Sequence, residues 1–517
     1  MPATPGCGVF VNQLGIPLLS LLIATPLLGA LLVLLTPRQA TGMQRSIAGL
    51  VSIINLVLAV VVRVSLAPTA GYQMVEQQTW LPTMGLHYAV GVDGISVWLV
   101  ILATLMTPLA IFAARQKNEG NQRAFYALLL VLASSLIGAF VATDLLLFYV
   151  FFELTLIPTA LLIALYGVGE RRAAATKFFV YPFVGSVFLL VSIAGLVYVN
   201  WQQTGVMTFD SVALSAAIAN GTLKIDENLE RLLFAGFFIA FAIKTPIWPF
   251  HTWMPQAQAA TPDDGSVDIA GILVKIGAYG FIRFAIPFFP HASAWAAPAV
   301  AILAVISIIY SGIIAFGQRD MKVLLSYATI SHLGFVMLGV FSQTAEGMSG
   351  AILTMINSGI TTGALFLIVG ILARQPGGRI ADNFSGAWLS APRFGSLALV
   401  AVFASIGVPG LNGFIGEFLS LQGAWVSTHI GFTFIVFAVL GIIVSAAYLL
   451  RMYRTVFMGE VSVTSAVPEA SKSELLVLGL LVVAMLVIGL YPQLILGTMQ
   501  PSITALVQSL TQGATQP

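Results

Sequence analysis

Apolar runs of about twenty residues, separated by short polar connections, follow one another along most of this 517-residue chain. A helix of that length crosses the roughly 30 Å hydrocarbon core of a bilayer, where only helices and closed barrels satisfy every backbone polar group. About fourteen such runs can be read. They begin near Pro17, Ser46, Ile95, Ala124, Asp144, Phe178, Leu232, Val267, Ala297, Val323, Ala351, Gly395, Phe432 and Leu475. Hydrophobic residues make up 58% of the chain and charged ones 8%, too little charge to cover a soluble surface. The expected fold class is therefore an all-α polytopic membrane protein, multi-pass and integral to the bilayer.

Basic residues orient the spans. Alternate connections hold Arg38 and Arg45; Arg115, Lys117 and Arg123; Arg171, Arg172 and Lys177; Arg319 and Lys322; Arg374, Arg379 and Arg393; Arg451, Arg454 and Lys472. Only Lys224 and Arg231 fall in loops on the other side. The positive-inside rule makes the first set cytoplasmic, or its equivalent, and puts both termini opposite. Twenty-two basic against 20 acidic residues give no sign of a nucleic-acid partner. Cys7, the sole cysteine, excludes an internal disulfide, a thiolate-held cluster or a Cys-based zinc site. No nucleotide-binding loop is present, and residues 1–13 lack the basic start of a cleavable signal.

Two runs are interrupted. In Phe241-Ala-Ile-Lys-Thr-Pro-Ile-Trp-Pro-Phe-His-Thr-Trp-Met-Pro255 the prolines at 246 and 249 follow Lys244 directly. Proline removes a backbone donor and clashes with the preceding turn, so the helix must break beside a charge. The second break is Gly407-Val-Pro-Gly-Leu-Asn-Gly413, with Glu417 just beyond it. The breaks fall in runs seven and twelve, which suggests two five-helix repeats, each with one discontinuous helix. The organisation read from this is an N-terminal region 1–123, repeats over 124–286 and 287–458, and a final loop and helix over 459–517. No long amphipathic helix is expected after the last span.

Ionisable groups within apolar runs mark the candidate site, because charge in a membrane interior is costly and retained for function. They are Glu153, Lys244, Lys275, His332 and Glu417. Burial disfavours the charged form of both a carboxylate and an amine, while an opposite charge nearby restores it. Glu153 moving toward or away from Lys244 would therefore load or empty the amine of its proton. Blander readings exist for each: a structural hydrogen bond for Glu153, close helix packing around Lys275, a satisfied core histidine at His332, a half-helix cap at Glu417. Asp144, Arg283, Asp320 and Lys322 lie at run ends and read as interfacial anchors. Arg172 and Lys177 read as topology signals, with a field effect on Glu153 as the sharper alternative.

These motifs carry a resemblance. Asp144-Leu-Leu-Leu-Phe-Tyr-Val-Phe-Phe-Glu-Leu-Thr-Leu-Ile-Pro158, Ala174-Ala-Thr-Lys-Phe-Phe179, Lys244 to Pro255, Ala270 to Gly280, Ser326 to Phe335, Gly407 to Glu417 and Gly91-Val-Asp-Gly-Ile-Ser96 are similar to the antiporter-like subunits of respiratory complex I and related NDH-type complexes, of the chain M or subunit 4 type. The resemblance implies fourteen helices in which the two repeats are inverted. It implies proton translocation along a mid-membrane axis of Glu153, Lys244, Lys275 and Glu417, with His332 on it and Asp144, Arg172, Lys177, His251 and Ser358 in support. No cofactor or metal is expected on this chain. NAD(P)H or ferredoxin, flavin mononucleotide, iron–sulfur clusters and quinone would be handled by other subunits. Expected partners are the other membrane-arm subunits, including homologous antiporter-like ones, and the lipid of a bacterial inner or cyanobacterial thylakoid membrane. The chain departs from the family's pattern at Gln256, Gln258 and Ala260, where acids and a histidine are usual, and at Ser358, where a histidine is common. Those departures suit a specialised carbon-dioxide-uptake branch or a scaffold whose path has decayed. A multisubunit cation/proton antiporter is the other alternative.

Overall fold

The computed structural model describes residues 15–114, 121–270, 272–461 and 466–514. Cys7, Arg115, Lys117 and Gly271 lie outside the described residues. Among those described, twelve helices are long and apolar enough to cross a bilayer. Of the fourteen expected runs, the other two are the interrupted ones.

Helices α1 (Leu18–Leu35) and α2 (Thr41–Ser65) stand at the periphery, with Leu28, Leu31, Leu35 and Val64 exposed. In lipid, outward apolar side chains need no burial. The following connection is not a plain polar loop. It folds into an antiparallel hairpin of β1 (Gln73–Leu81) and β2 (Leu86–Val92), an addition to the expected all-α membrane bundle. Val75, Thr79, Trp80, Tyr88 and Val90 suit strands, and Gly85 takes the left-handed φ of 64° in the turn.

After α3 (Ser96–Ala113) and α4 (Gln122–Val141), the fifth span is also interrupted, into α5 (Leu145–Leu154) and α6 (Leu156–Tyr166). Pro158 lies four residues after Leu154, and its ring excludes that carbonyl from the helix ladder. Next come α7 (Arg171–Thr204), α8 (Ser211–Ala219) and α9 (Glu227–Lys244), the last stopping at the expected break before α10 (Trp253–Ala260). The eighth span is irregular throughout: α11 (Ser266–Ala270), α12 (Val274–Gly280), a π turn over Phe281–Ala285 and α13 (Ile286–Phe288). Pro287 lies four residues beyond Arg283 and accounts for the π turn.

The second half runs through α14 (Pro290–Gly317), α15 (Met321–Phe341), α16 (Ala345–Leu372), the short α17 (Ala387–Ser390), α18 (Pro392–Ile406), α19 (Asn412–Val426) and α20 (Phe432–Phe457). Helix α16 is the centre of the molecule, its apolar window wholly buried. It can sit there because Gly350 and Gly416 let it touch α19: a Cβ on Gly350 would lie 2.2 Å from the Ser420 backbone nitrogen. After α21 (Lys472–Leu490) a further 22-residue helix, α22 (Gln493–Ala514), follows, contrary to the sequence reading. It buries Ile495, Met499, Ile503 and Leu510.

One local device occurs twice. Asp144 caps α5 by accepting from the Leu146 and Leu147 amides, and Asp320 caps α15 through Lys322 and Val323. Each forms an isolated antiparallel bridge to the loop after the next long helix, Asp144 with Asp210 and Asp320 with Ile380. The flanking bonds match as well: Leu145 N to Phe209 O and Ser211 N to Thr143 O in one, Met321 N to Arg379 O and Ala381 N to Arg319 O in the other.

Candidate functional site

Proline decides the geometry at Lys244. With Pro246 unable to continue the ladder, Ile247 N reaches back to Ala242 O (3.3 Å), and the freed Ile243 carbonyl accepts from the Trp253 indole (2.9 Å). The break is thereby closed by protein groups, and Lys244 at its edge is fully buried. Its ammonium donates to the Thr155 hydroxyl (2.8 Å), approaches the Phe152 carbonyl (3.4 Å), and lies 4.5 Å from the Phe152 ring centroid. The Thr155 hydroxyl accepts from Lys244 while donating its own proton to Phe152 O (2.8 Å). Glu153 makes no ion pair with Lys244. It is half-buried on α5 beside Ser186, with Oε1 buried and without a hydrogen bond.

Lys275 follows on α12, which packs so tightly on the break that a Cβ on Gly277 would be 2.3 Å from Thr245 Oγ1. Among the described residues its ammonium has no hydrogen-bond partner. It lines a cavity of about 10 Å³ together with Gln258, Asp268, Thr329 and Thr362. Thr329 sits one turn before His332 on α15. The His332 ring is buried between Glu417 Oε1 (2.8 Å from Nδ1) and Ser405 Oγ (3.3 Å from Nε2). Glu417 reaches it because α18 ends in the left-handed Gly407 (φ 83°), and a side chain there would crowd Glu417. The second break is tied to the central helix by Asn357, whose Nδ2 donates to Asn412 O (2.5 Å).

Within this set Lys244 contacts Thr155, His332 contacts Glu417, and Lys275 and Thr329 line one small cavity. No group of three or more His, Cys, Asp or Glu suited to a metal occurs among the described residues.

A family model described as "NADH:quinone oxidoreductase/Mrp antiporter, TM" matches residues 142–445, and one described as "NADH-ubiquinone oxidoreductase chain 4, amino terminus" matches residues 43–139. NADH-quinone oxidoreductase subunit M of Rhodobacter capsulatus is 39% identical over 85% of this chain and 85% of its own length. The chain belongs to this family. It stands among the antiporter-like membrane subunits called M or chain 4. A chain of respiratory complex I from Thermus thermophilus has the same fold, with a TM-score of 0.86 at 34% identity, covering 95% of this chain and 99% of that one. A chain of the Mrp complex from Dietzia sp. shares the fold at a TM-score of 0.79 and 21% identity, covering 95% of this chain and 52% of that one.

The supporting residues are scattered. Asp144 is a buried cap that also accepts from the His87 amide of the hairpin (3.3 Å). Arg172 is exposed, and Lys177 donates to Thr252 O (3.1 Å) at the first break. His251 is buried against Tyr310 and Tyr327 with Nδ1 unpartnered. Ser358 donates only to Met355 O (3.2 Å) in its own helix. Gln256 is exposed, whereas Gln258 faces the Lys275 cavity with Oε1 unpartnered.

Two expected anchors are corrected. Arg283 is not interfacial: the π turn directs it into a buried ion pair with Asp93, beside Tyr72 and Tyr279. Burial opposes the charge on Asp93, yet the guanidinium and the hydrogen bond from the Ser96 amide hold its carboxyl below the usual range. Lys322 is fully buried and paired with Asp268 at 3.0 Å. Sequence reasoning passed over Thr155, Asp268 and Asn357. Asp268 was findable by the rule that selected the other charges, since it stands one residue inside the run beginning at Val267.

Proposed function

We propose that this chain is a proton-translocating membrane-arm subunit of a quinone-reducing complex of the complex I type, moving protons through Glu153, Lys244, Lys275 and Glu417, with His332 on the same axis. The observation that carries it is the state of Lys244: an amine wholly inside the protein, at a helix break, held by a neutral hydroxyl with its carboxylate out of contact. A purely structural lysine would be neutralised by direct pairing, because an unpaired buried charge costs several kcal/mol. Here the missing contact is one that a small movement of α5 could make or release. The twice-used Asp144 and Asp320 device supports two inverted five-helix units over 124–286 and 287–458, since an odd number of spans separates the two caps.

On this reading redox chemistry belongs to other subunits, which would hold flavin mononucleotide and iron–sulfur clusters and take electrons from NAD(P)H or ferredoxin to quinone. The partners are neighbouring membrane-arm subunits, homologous ones included, in a bacterial inner or thylakoid membrane. The test is Lys244→Ala in the assembled complex, in proteoliposomes. Protons moved per quinone reduced should fall at least about tenfold with assembly intact. Unchanged pumping would leave only a scaffold. The likeness to the Mrp complex motivates one further measurement, because sodium-dependent transport by the purified assembly would favour a cation/proton antiporter.

A further inference from the structure

On the basic side of Lys275 the chain holds a second buried lysine–carboxylate pair. Asp268 of α11 and Lys322 of α15 meet at 3.0 Å with both side chains fully buried. Thr261 joins them: its hydroxyl lies 2.9 and 2.8 Å from the two Asp268 oxygens and accepts from Lys322 Nζ (2.5 Å). Lys322 also donates to the carbonyls of Thr261 (3.1 Å) and Pro262 (2.9 Å). Taking two charges out of water is rarely repaid in stability, and apolar residues of similar volume often serve as well. The pair therefore asks for another role.

Its surroundings indicate one. Asp268 lines the same cavity of about 10 Å³ as Lys275 and Gln258, a space at the threshold for one water. A second cavity of about 30 Å³, also lined by Asp268, is bounded by Thr159, Gln258 and Thr261. Outward from Lys322, Arg379 pairs with Asp320 (3.1 Å) and Asp263 (3.6 Å), all three partly exposed. Ionisable groups thus run from the basic face through Lys322 and Asp268 to the unpartnered amine of Lys275.

We propose that Asp268 and Lys322 form a side branch that loads Lys275 with protons from the basic face. The Lys322 ammonium gives its proton to the Asp268 carboxylate, leaving a neutral amine and a neutral acid. Asp268 then passes that proton across the cavity to the Lys275 amine and returns to carboxylate, and Lys322 is reprotonated from the Asp320 and Asp263 side. One proton moves and the pair ends as it began. The branch rests on the reading of Lys275 as a proton relay.

The experiment uses the assembled complex in proteoliposomes, following acidification and quinone reduction together. Asp268→Asn should lower protons moved per quinone at least about tenfold, and Asp268→Glu, which keeps an acid there, should retain pumping. The double variant Asp268→Asn with Lys322→Gln removes both charges and so relieves any unpaired buried ion. It should assemble and still fail to pump. Normal pumping in the double variant, or in Asp268→Asn while Lys244→Ala is inactive, would overturn the branch and leave the main axis standing. Normal pumping in Lys244→Ala would take both down.

Discussion

Around α5 and α9 the basic group rests on a hydroxyl: Lys244 bonds Thr155 at 2.8 Å, and Glu153 stands apart with one oxygen unsatisfied. Around α15 and α19 the acidic group is already engaged, Glu417 meeting the His332 ring at 2.8 Å with Ser405 on its far nitrogen. Both places use the same construction, a broken helix whose charged residue faces a neighbouring helix that starts at an Asp cap. They differ in whether the opposite partners touch. In a low-dielectric interior an opposite charge in contact favours the charged form of both partners, and separation withdraws that support. The joined pair therefore has a side-chain contact to lose, and the separated pair has none.

The comparison can be broken by removing charge without changing shape. Glu417→Gln should lower the complex's thermal stability, because a charged hydrogen bond worth about 1.5–3 kcal/mol is lost, and should reduce pumping at least about tenfold. Glu153→Gln should leave stability nearly unchanged, since the carboxylate has no ion-pair partner to lose, while still impairing pumping. Equal melting shifts in the two variants would erase the distinction. Thr155→Val tests the hydroxyl under Lys244. It should cost about 1–2 kcal/mol, measured by thermal melting, and slow pumping severalfold, with Thr155→Ser restoring both. The smallest effect on pumping is expected from Gly407→Ala. The left-handed φ of 83° and the 3.4 Å approach of a Cβ to Glu417 Oε2 should together lower stability by about 1–2 kcal/mol, with pumping reduced only in proportion to His332–Glu417 contact.

How much of this could be read from residues follows from how local each signal is. The break at Lys244 is written in adjacent letters, a charge followed by Pro246 and Pro249, and the break at Gly407 likewise. The spans were legible because bilayer thickness sets a length. The contact between His332 and Glu417 bridges 85 positions, so only the two ends, not their meeting, could be seen in the chain. Thr155 escaped because its hydroxyl bonds its own helix at Phe152 O, as such hydroxyls usually do, and its second contact, with Lys244, lies 89 positions away. Arg283 and Lys322 were misplaced because nearness to a run's end does not give depth. A π turn rotates the first inward, and the Thr261–Pro262 turn folds over the second.

The central claim is that Lys244 gains and loses a proton in each cycle rather than serving as a fixed charge. Arginine keeps the charge but does not release its proton under physiological conditions. The decisive measurement is therefore proton translocation per quinone reduced in the assembled Lys244→Arg complex. Loss of pumping as deep as in Lys244→Ala is the predicted result, and pumping at the wild-type ratio would contradict the account.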